Sequence, residues 1–397
     1  MPRRTGDDPN IGERIRTRRR LRGWSIRFAA DRAGLSHTTW SRIERGIVTA
    51  DNRFTLADIA RALDCSVTDL TGCPTGPDTR GEALLALSIE ALHTALVDAD
   101  PGEEPLCMPR PWPQLVAEAD LVHHLRMRCN FLGAAQRLPA LIREVHAATH
   151  GSNRREALPL LVSTTFDAAA LVQTTGYRRD GWLAAQRCRQ AAEATGDPVL
   201  LAFAGFAVGN AAGSAGAYAR SMALVERAAE DLSSHLGTEG ALAMLGMLHL
   251  TCAMAARGLR RPADSADRVA EAADLAARTG ETMVHDLGFG PTNVGIWRVS
   301  METDGGEPGR AAEIGAQLRP DLLPMPSRRA TFHTDTARAL TLLGRDRDAL
   351  RHLLAAERIS PVQVRSNVLV RETVRGMLDR AGSSQLRGLC ERINLAR

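Results

Sequence analysis

The chain has 397 residues, and its 50 basic residues are all arginine, against 46 acidic residues. Because lysine is absent throughout, arginine reflects a compositional bias and does not by itself indicate a function. The hydrophobic fraction of 44% and the charged fraction of 24% are those of an ordinary globular protein. With 34 glycines and 19 prolines, the composition excludes a collagen-like or disordered chain, and the length predicts at least two domains.

Charge is unevenly distributed along the chain. Residues 11–53 contain eleven arginines and four acidic residues, a net charge of +7. Residues 81–397 contain thirty-five arginines and thirty-six acidic residues, a net charge of −1. A basic N-terminal segment followed by a neutral remainder predicts that this segment binds a polyanion.

The sequence pattern of residues 11–71, called the head below, predicts five short helices. The first four span residues 11–22, 26–33, 37–45 and 56–63, and a fifth follows Ser66 and ends near residue 71. Predicted N-caps and terminating glycines punctuate them: Ser25, Ser36, Thr55 with Asp58, Ser66 with Asp69, Gly23, Gly34 and Gly46. Inward-facing apolar positions are Ile11, Ile15, Leu21, Ala29, Ala30, Ala33, Trp40, Ile43 and Ile47.

The second and third of these helices are joined by a three-residue turn. Two helices of this length bury little surface by themselves, but crossing at a steep angle they form a helix-turn-helix. The second helix of such a unit enters the major groove of DNA. Its outward side chains are those of His37, Thr38, Ser41, Arg42 and Arg45.

The head resembles the Cro/repressor-type (XRE-family) helix-turn-helix regulators. The matching stretches are Ile15-Arg16-x-x-Arg19-x-x-x-Gly23-x-Ser25, Ala30-x-x-Ala33-Gly34-Leu35-Ser36, Ser41-Arg42-Ile43-Glu44-Arg45-Gly46 and Leu56-x-x-Ile59-Ala60-x-Ala62-Leu63. The resemblance covers about sixty residues and implies binding to double-stranded DNA.

The same resemblance implies a role for individual residues. His37 and Thr38 would contact base edges, and Arg42 would reach deepest, to guanine. Arg19 and Glu44 would form a structural pair between the first and third helices. Contacts to the DNA backbone would come from Ser25, Arg27, Ser36, Ser41 and Arg45.

Two positions depart from the family pattern. Ile26 stands where many relatives carry a phosphate-binding Gln or Thr, so that contact passes to Ser25 or Arg27. Phe28 occupies a position that is usually polar, which predicts packing on a neighbouring domain or on a partner subunit.

Residues 72–113 predict a linker containing one helix, at 81–97, and a hinge with prolines at 101, 105, 109, 111 and 113. Residues 114–397, called the body below, predict only helices. Similar helix ends recur at intervals of 41 and 43 residues, at Gly196, Gly237 and Gly280. Because each helical pair is apolar on two sides, the pattern predicts an all-α protein whose body is an α-solenoid.

The body resembles the degenerate tetratricopeptide-like domains of actinobacterial XRE-type regulators. The relevant stretches are Gly288–Val294, Arg328-Arg-Ala with Asp335-x-x-Arg338-Ala, Ala349-Leu with Ala355-Ala-Glu-Arg358, and Pro361-x-Gln-Val-Arg365. The resemblance implies that the body forms a homodimer and binds a small-molecule or peptide effector on its concave face.

One interruption of the helical pattern is a candidate ligand site. Phe289 and Asn293 lie in a stretch with two helix breakers, and such a stretch in a solenoid lines a groove or is a plain connection. Asn293 and Phe289 are therefore the predicted ligand contacts.

The pattern predicts no cofactor, metal site or catalytic centre. His146 and His150 have helical spacing but lack a further ligand at zinc-site spacing. The apolar runs at 199–212 and 241–256 are shorter than a bilayer requires and predict buried helices, not a membrane protein. Scattered cysteines and the absence of an apolar leader predict a cytoplasmic location.

Together these features predict a dimeric transcriptional regulator that binds DNA and senses an effector, and no enzyme. The alternative is a protein-interaction scaffold, whose head only tethers it to DNA and which has no ligand of its own.

Overall fold

A computed structural model describes residues 10–72, 79–177, 180–378, 380 and 383–395. Within these residues the chain forms twenty-one α-helices and one β-hairpin. The prediction of an all-α protein is therefore confirmed, with a single short exception in the body.

Five short helices form the head. They are α1 (Ile11–Leu21), α2 (Ile26–Arg32), α3 (His37–Glu44), α4 (Arg53–Ala62) and α5 (Val67–Thr71). The predicted start of the fourth helix was wrong, because Asn52 caps it and accepts a hydrogen bond from the Thr55 amide at 2.9 Å. An Asn at the N-cap satisfies one of the unpaired amides of the first turn, so the helix starts earlier.

The remaining helices stack in sequence. They are α6 (Arg80–Asp98), α7 (Trp112–Met127), α8 (Phe131–Ala148), α9 (Arg154–Thr174), α10 (Gly181–Thr195), α11 (Pro198–Ser214), α12 (Tyr218–Ser233), α13 (Ala241–Gly258), α14 (Pro262–Thr279), α15 (Pro291–Asp304), α16 (Pro308–Gln317), α17 (Pro326–Leu342), α18 (Asp346–Ile359), α19 (Pro361–Ser366), α20 (Val368–Leu378) and α21 (Ser384–Arg392). From α8 to α14 each helix packs on its successor, and α15–α16 and α17–α18 form further pairs. This is the stacked arrangement of a solenoid.

The inner helices of the solenoid are the most apolar. α11 and α13 correspond to the two apolar runs, and most of their residues are buried, as predicted. α9 and α13 are long and apolar enough to cross a bilayer, but 67% and 72% of their apolar windows are buried inside the protein. A core helix of a globular protein has the same properties.

The predicted linker packs against the body. Leu85, Ile89, Leu92 and Leu96 of α6 lie in one apolar cluster with α8–α11, because their helical spacing creates a face that requires burial. The proline-rich segment is also fixed, since Arg110 donates to Glu144 at 2.6 Å. The expectation of a hinge is therefore corrected, because specific contacts hold this segment against the body.

The body also contains the β-hairpin, which the sequence did not predict. β1 (Thr282–Val284) and β2 (Leu287–Phe289) pair antiparallel, with Val284 opposite Leu287. The two turn residues, His285 and Asp286, have φ values of 42° and 65°. A two-residue turn with positive φ at both positions usually contains Asn or Gly, so the sequence lacked the usual hairpin signal.

A histidine pair between α17 and α18 makes the stability of the solenoid depend on pH. The Nδ1 atoms of His333 and His352 are 3.0 Å apart. Burial, together with the neighbouring His352, lowers the pKa of His333 to about 4, and burial also lowers the pKa of His352. Because the unfolded chain binds these protons more readily, the pair stabilises the fold above about pH 6.5 and loses that contribution as the pH falls towards 4.

We therefore expect the melting temperature to fall between about pH 7.5 and about pH 5, and to fall by about 2–4 °C less in His333→Gln. Thermal unfolding followed by circular dichroism at both pH values measures the difference. The exposed His235 provides the control, and His235→Gln should retain the full pH dependence. Equal pH dependence in wild type and His333→Gln would contradict the assignment.

Candidate nucleic-acid interface and head–body cavity

Residues from all five helices form the apolar core of the head. Trp40 and Ile15 have no exposed surface, and Ala29, Ala30, Ala33 and Ile43 are buried with them. Two inward assignments were wrong, since Leu21 is 80% and Ile47 is 55% exposed. Ile47 follows Gly46, whose φ of +70° ends α3, so the helical periodicity does not continue to it.

The proposed base-contacting side chains share one exposed face. His37 and Thr38 lie in the first turn of α3 and Arg42 in its last turn, and all three are exposed. Among the described residues, none of these three side chains forms a hydrogen bond or an ion pair with another side chain. The face has the composition that major-groove contacts require, namely hydrogen-bonding groups at the start of an exposed helix.

The predicted backbone contacts surround this face. Ser25 accepts a hydrogen bond from the Phe28 amide at 3.1 Å, and Ser36 accepts one from the Thr39 amide at 3.0 Å. Both serines are thus N-caps. The exposed Ser25 hydroxyl retains a proton to donate, whereas the Ser36 hydroxyl also shares a hydrogen bond with Thr39 Oγ1 at 2.8 Å. The side chains of Arg27 and Arg45 are exposed, whereas Ser41 is half-buried.

Arg19 and Glu44 form the structural pair. Arg19 donates to Glu44 Oε1 at 2.6 Å through Nε and to Oε2 at 2.8 Å through Nη2. Glu44 Oε1 also accepts from Trp40 Nε1 at 2.6 Å, and Arg19 donates to the Trp24 carbonyl at 2.7 Å. The bond to Glu44 raises the pKa of Arg19. Sequence reasoning placed Trp40 in the core but missed its hydrogen bond to Glu44, although a spacing of four residues placed both on one face.

The two departures from the family pattern lie beside this core. Ile26 packs against the apolar cluster of the head. Phe28 is 48% exposed and contacts Trp24 edge-to-face, with ring centroids 5.1 Å apart. Among the described residues Phe28 packs on no other domain, so that part of the expectation is corrected, and packing on a partner subunit stays a prediction.

A buried ionic network, called the ionic lock below, joins the head to the body. It consists of Asp51 and Arg53 of the head and Asp304, Asp335 and Arg338 of the body. Arg53 donates to Asp304 at 2.5 Å and to Asp335 at 2.8 Å. Arg338 donates to Asp304 at 2.5 Å, to Asp335 at 3.1 Å and to the carbonyl of Asp51.

Mutual compensation favours the charged forms of Arg338 and Asp335 in the ionic lock. Burial opposes the charged form of Arg338, but the carboxylates of Asp304 and Asp335 raise its pKa above the ordinary value. Burial likewise opposes ionisation of Asp335, but Arg53 and Arg338 hold its pKa below the ordinary value. Each charge therefore depends on the others, and removal of one leaves an uncompensated buried ion.

Apolar contacts reinforce this docking. Phe54 and Ala57 of α4 are buried with Tyr218 and Ala255 of the body, and the rings of Phe54 and Tyr218 are 5.5 Å apart. Leu369 of α20 lies in the apolar cluster of the head. Docking uses α4 and α20, so it leaves the exposed face of α3 uncovered.

A cavity lies between the head and the body, and is called the head–body cavity below. Its volume is about 460 Å³. The head lines it with α1, α4 and α5, and the body with inner helices α11, α13, α15 and α17. A cavity of this size is typical of small-molecule sites.

Asn293 and Phe289, the predicted ligand contacts, do not line this cavity. Asn293 is buried, donates to the Gly288 carbonyl and accepts from Arg328 at 2.9 Å and 3.1 Å. Phe289 is fully buried against Gly246, where a Cβ would overlap its ring. The ligand assignment is therefore corrected, because these residues fix the hairpin to α13 and α17.

One side-chain cluster has the composition of a metal site. His123, Asp167 and Asp286 bring three potential ligand atoms within 4.8 Å of one another. Arg126 donates to Asp167, and His123 lies 3.2 Å from Asp286. The carboxylates are thus paired within the protein, which gives the cluster an internal electrostatic role. His146 and His150 contact each other edge-to-face, with no third ligand among the described residues.

Comparison with known families identifies the head. Residues 10–71 match the family model for a helix-turn-helix domain. The head is a helix-turn-helix domain. The match covers the exposed α3 and the Arg19–Glu44 pair, and the helix-turn-helix domain supports a role of the chain in DNA binding and transcription regulation.

Comparisons of the whole chain are less informative. No curated protein matches the sequence at a significant level. The structure of PlcR from Bacillus thuringiensis in complex with the peptide PapR7 and DNA is 17% identical, covers 68% of this chain and 95% of that chain, and has a TM-score of 0.31. The structure of BtubC (BKLC) from P. vanneervenii is 15% identical, covers 77% and 95%, and has a TM-score of 0.32. Similarity at this level carries no argument about function.

Proposed function

We propose that the protein is a cytoplasmic, sequence-specific regulator of transcription that acts by binding and not by catalysis. The helix-turn-helix domain contacts operator DNA through α3, and the body forms a homodimer and senses a small molecule or peptide. The observation that carries this proposal is the exposed face of His37, Thr38 and Arg42 on a head that is docked elsewhere.

Docking also supports a sensory role for the body. Because the ionic lock and the Phe54–Tyr218 contact hold the head on the solenoid, a change in the body alters the position of α3. In a dimer this changes the spacing between two recognition helices, and operators fix that spacing. An effector that prefers one arrangement therefore changes affinity for DNA.

The DNA-contacting face predicts distinct results for its two arginines. Arg42→Ala should cost about 1–3 kcal/mol in binding to the selected site and relax the preference at one base pair. Arg45→Ala should weaken binding to all sequences about equally, because a phosphate contact carries no sequence information. Fluorescence anisotropy with the selected duplex and its single-base variants measures both effects.

The control for this comparison is Arg358, an exposed arginine of α18 far along the chain from the head. Arg358→Ala should leave affinity and sequence preference unchanged. If Arg42→Ala weakened every sequence equally, Arg42 would be a phosphate contact and the base-contact assignment would fail.

A further inference from the structure

The head–body cavity has walls from two parts of the protein that are far apart in sequence. On one side lie Leu56 of α4 and Val67 and Thr68 of α5. On the other side lie Asn210 of α11 and Arg328 of α17. A molecule that fills this space contacts the helix-turn-helix domain and the solenoid at the same time.

Positive charge dominates the lining of this cavity. Seven arginines and three carboxylates contribute to it. Several arginines are neutralised by ion pairs, such as Arg53 with Asp335 at 2.8 Å and Arg392 with Glu357 at 2.7 Å. The lining itself contains more arginines than carboxylates, which favours an anionic occupant.

Arg328 is a lining arginine whose charge is poorly compensated within the protein. Its Nε and Nη2 atoms donate to the neutral amide oxygen of Asn293, and its guanidinium lies 5.3 Å from the centre of the Trp297 ring. Among the described residues no carboxylate forms an ion pair with it. Burial lowers the pKa of Arg328 to about 10, so its charged form is inadequately compensated. An anionic group in the cavity would supply that compensation.

Neutral groups complete the lining. Asn210 lies in the apolar α11, is half-buried and has no hydrogen-bond partner among the described residues, so its amide is available in the cavity. Apolar side chains come from the head (Leu56, Val67), from α6 (Leu85) and from the body (Met254). The lining therefore matches a molecule with a charged group, a hydrogen-bonding group and an apolar part.

We propose that the head–body cavity binds a small amphipathic organic anion, with its charged group at Arg328 and its apolar part between the head and the body. This inference rests on the proposed sensory function and names the ligand class and its mode of action. Because the ligand contacts both walls, it binds only the docked arrangement and stabilises it. Arg53 and Asp335 line the same cavity, so the ligand site adjoins the ionic lock.

The test uses 8-anilinonaphthalene-1-sulfonate, an amphipathic anion, as the probe, with the purified full-length chain and no DNA. We expect saturable binding of one probe per chain, measured by fluorescence titration, and a higher melting temperature in its presence. Arg328→Gln should weaken binding roughly tenfold to a hundredfold, as expected for loss of a charge-assisted contact. Arg358→Gln, the same change outside the cavity, should bind as wild type.

Two further variants test the bridging position. Asn210→Phe narrows the cavity from the body, and Thr68→Trp narrows it from the head. Both should abolish saturable binding while keeping the far-ultraviolet circular dichroism and the cooperative thermal unfolding of the wild type. Unsaturable binding, wild-type binding by Arg328→Gln, or an effect of Asn210→Phe without one of Thr68→Trp would overturn the proposal. If the protein bound the probe but selected no DNA site, the regulatory function would be refuted, and the assignment of the cavity as an anion site would stand.

Discussion

Asp304→Ala is expected to lower the free energy of unfolding by about 3–5 kcal/mol and to release the head from the body. Asp304 is fully enclosed and accepts hydrogen bonds from the guanidinium groups of Arg53 and Arg338, each at 2.5 Å. Its removal leaves Asp335 as the main counter-ion of Arg338, which is buried, and of Arg53, which is partly exposed. Asp304→Asn, which keeps an acceptor but loses the charge, should be destabilised less.

Urea denaturation and hydrogen exchange measure these two effects. Exchange should accelerate on both sides of the interface, in residues 50–62 of the head and in α15 and α17. The control is Asp267→Ala, which removes an exposed carboxylate of α14 and should change stability by less than about 0.5 kcal/mol. If Asp304→Ala lost no more stability than this control, the ionic lock would not hold the domains together.

Glu44→Ala should destabilise the helix-turn-helix domain by about 3–5 kcal/mol. The change leaves the buried guanidinium of Arg19 and the indole N–H of Trp40 without their acceptor. Hydrogen exchange of residues 11–71 measures the loss locally, so that unfolding of the solenoid does not obscure it.

The pair can also be replaced as a unit. A double variant, Arg19→Met with Glu44→Leu, removes both charges and should be more stable than Glu44→Ala, because no uncompensated ion remains. Asp31→Ala, which changes an exposed acidic residue of α2, is the matched control and should exchange as wild type. Wild-type exchange in Glu44→Ala would contradict the structural role of the pair.

Much of the head was predictable because its determinants are local. Serine caps, terminating glycines and apolar spacing all act within a few residues, and together they placed α1, α2 and α3. Errors arose where two local signals competed. Asn52 and Thr55 are both good N-caps, and the structure uses Asn52. Helical spacing extended past Gly46 would bury Ile47, but the left-handed glycine redirects the chain.

The body was predictable as a succession of helices but not in its particular contacts. The ionic lock joins Arg53 to Asp304 and Asp335, more than 250 residues apart, and no local pattern reports such a contact. At Phe289 and Asn293 a local pattern was visible, but its role could not be read from the sequence. Their interruption of the helical pattern was real, but it forms a β-hairpin whose side chains serve packing, and an interruption alone does not distinguish packing from ligand contact.

The central claim is that the head, docked on the body, presents α3 to a specific DNA site. Selection of bound fragments from genomic DNA by the purified full-length protein tests it most directly. We expect one enriched motif with two-fold related halves, as a homodimer requires. Arg42→Ala should remove the sequence preference at one position in each half. Failure to enrich any motif over non-specific DNA would contradict the claim and favour the scaffold alternative.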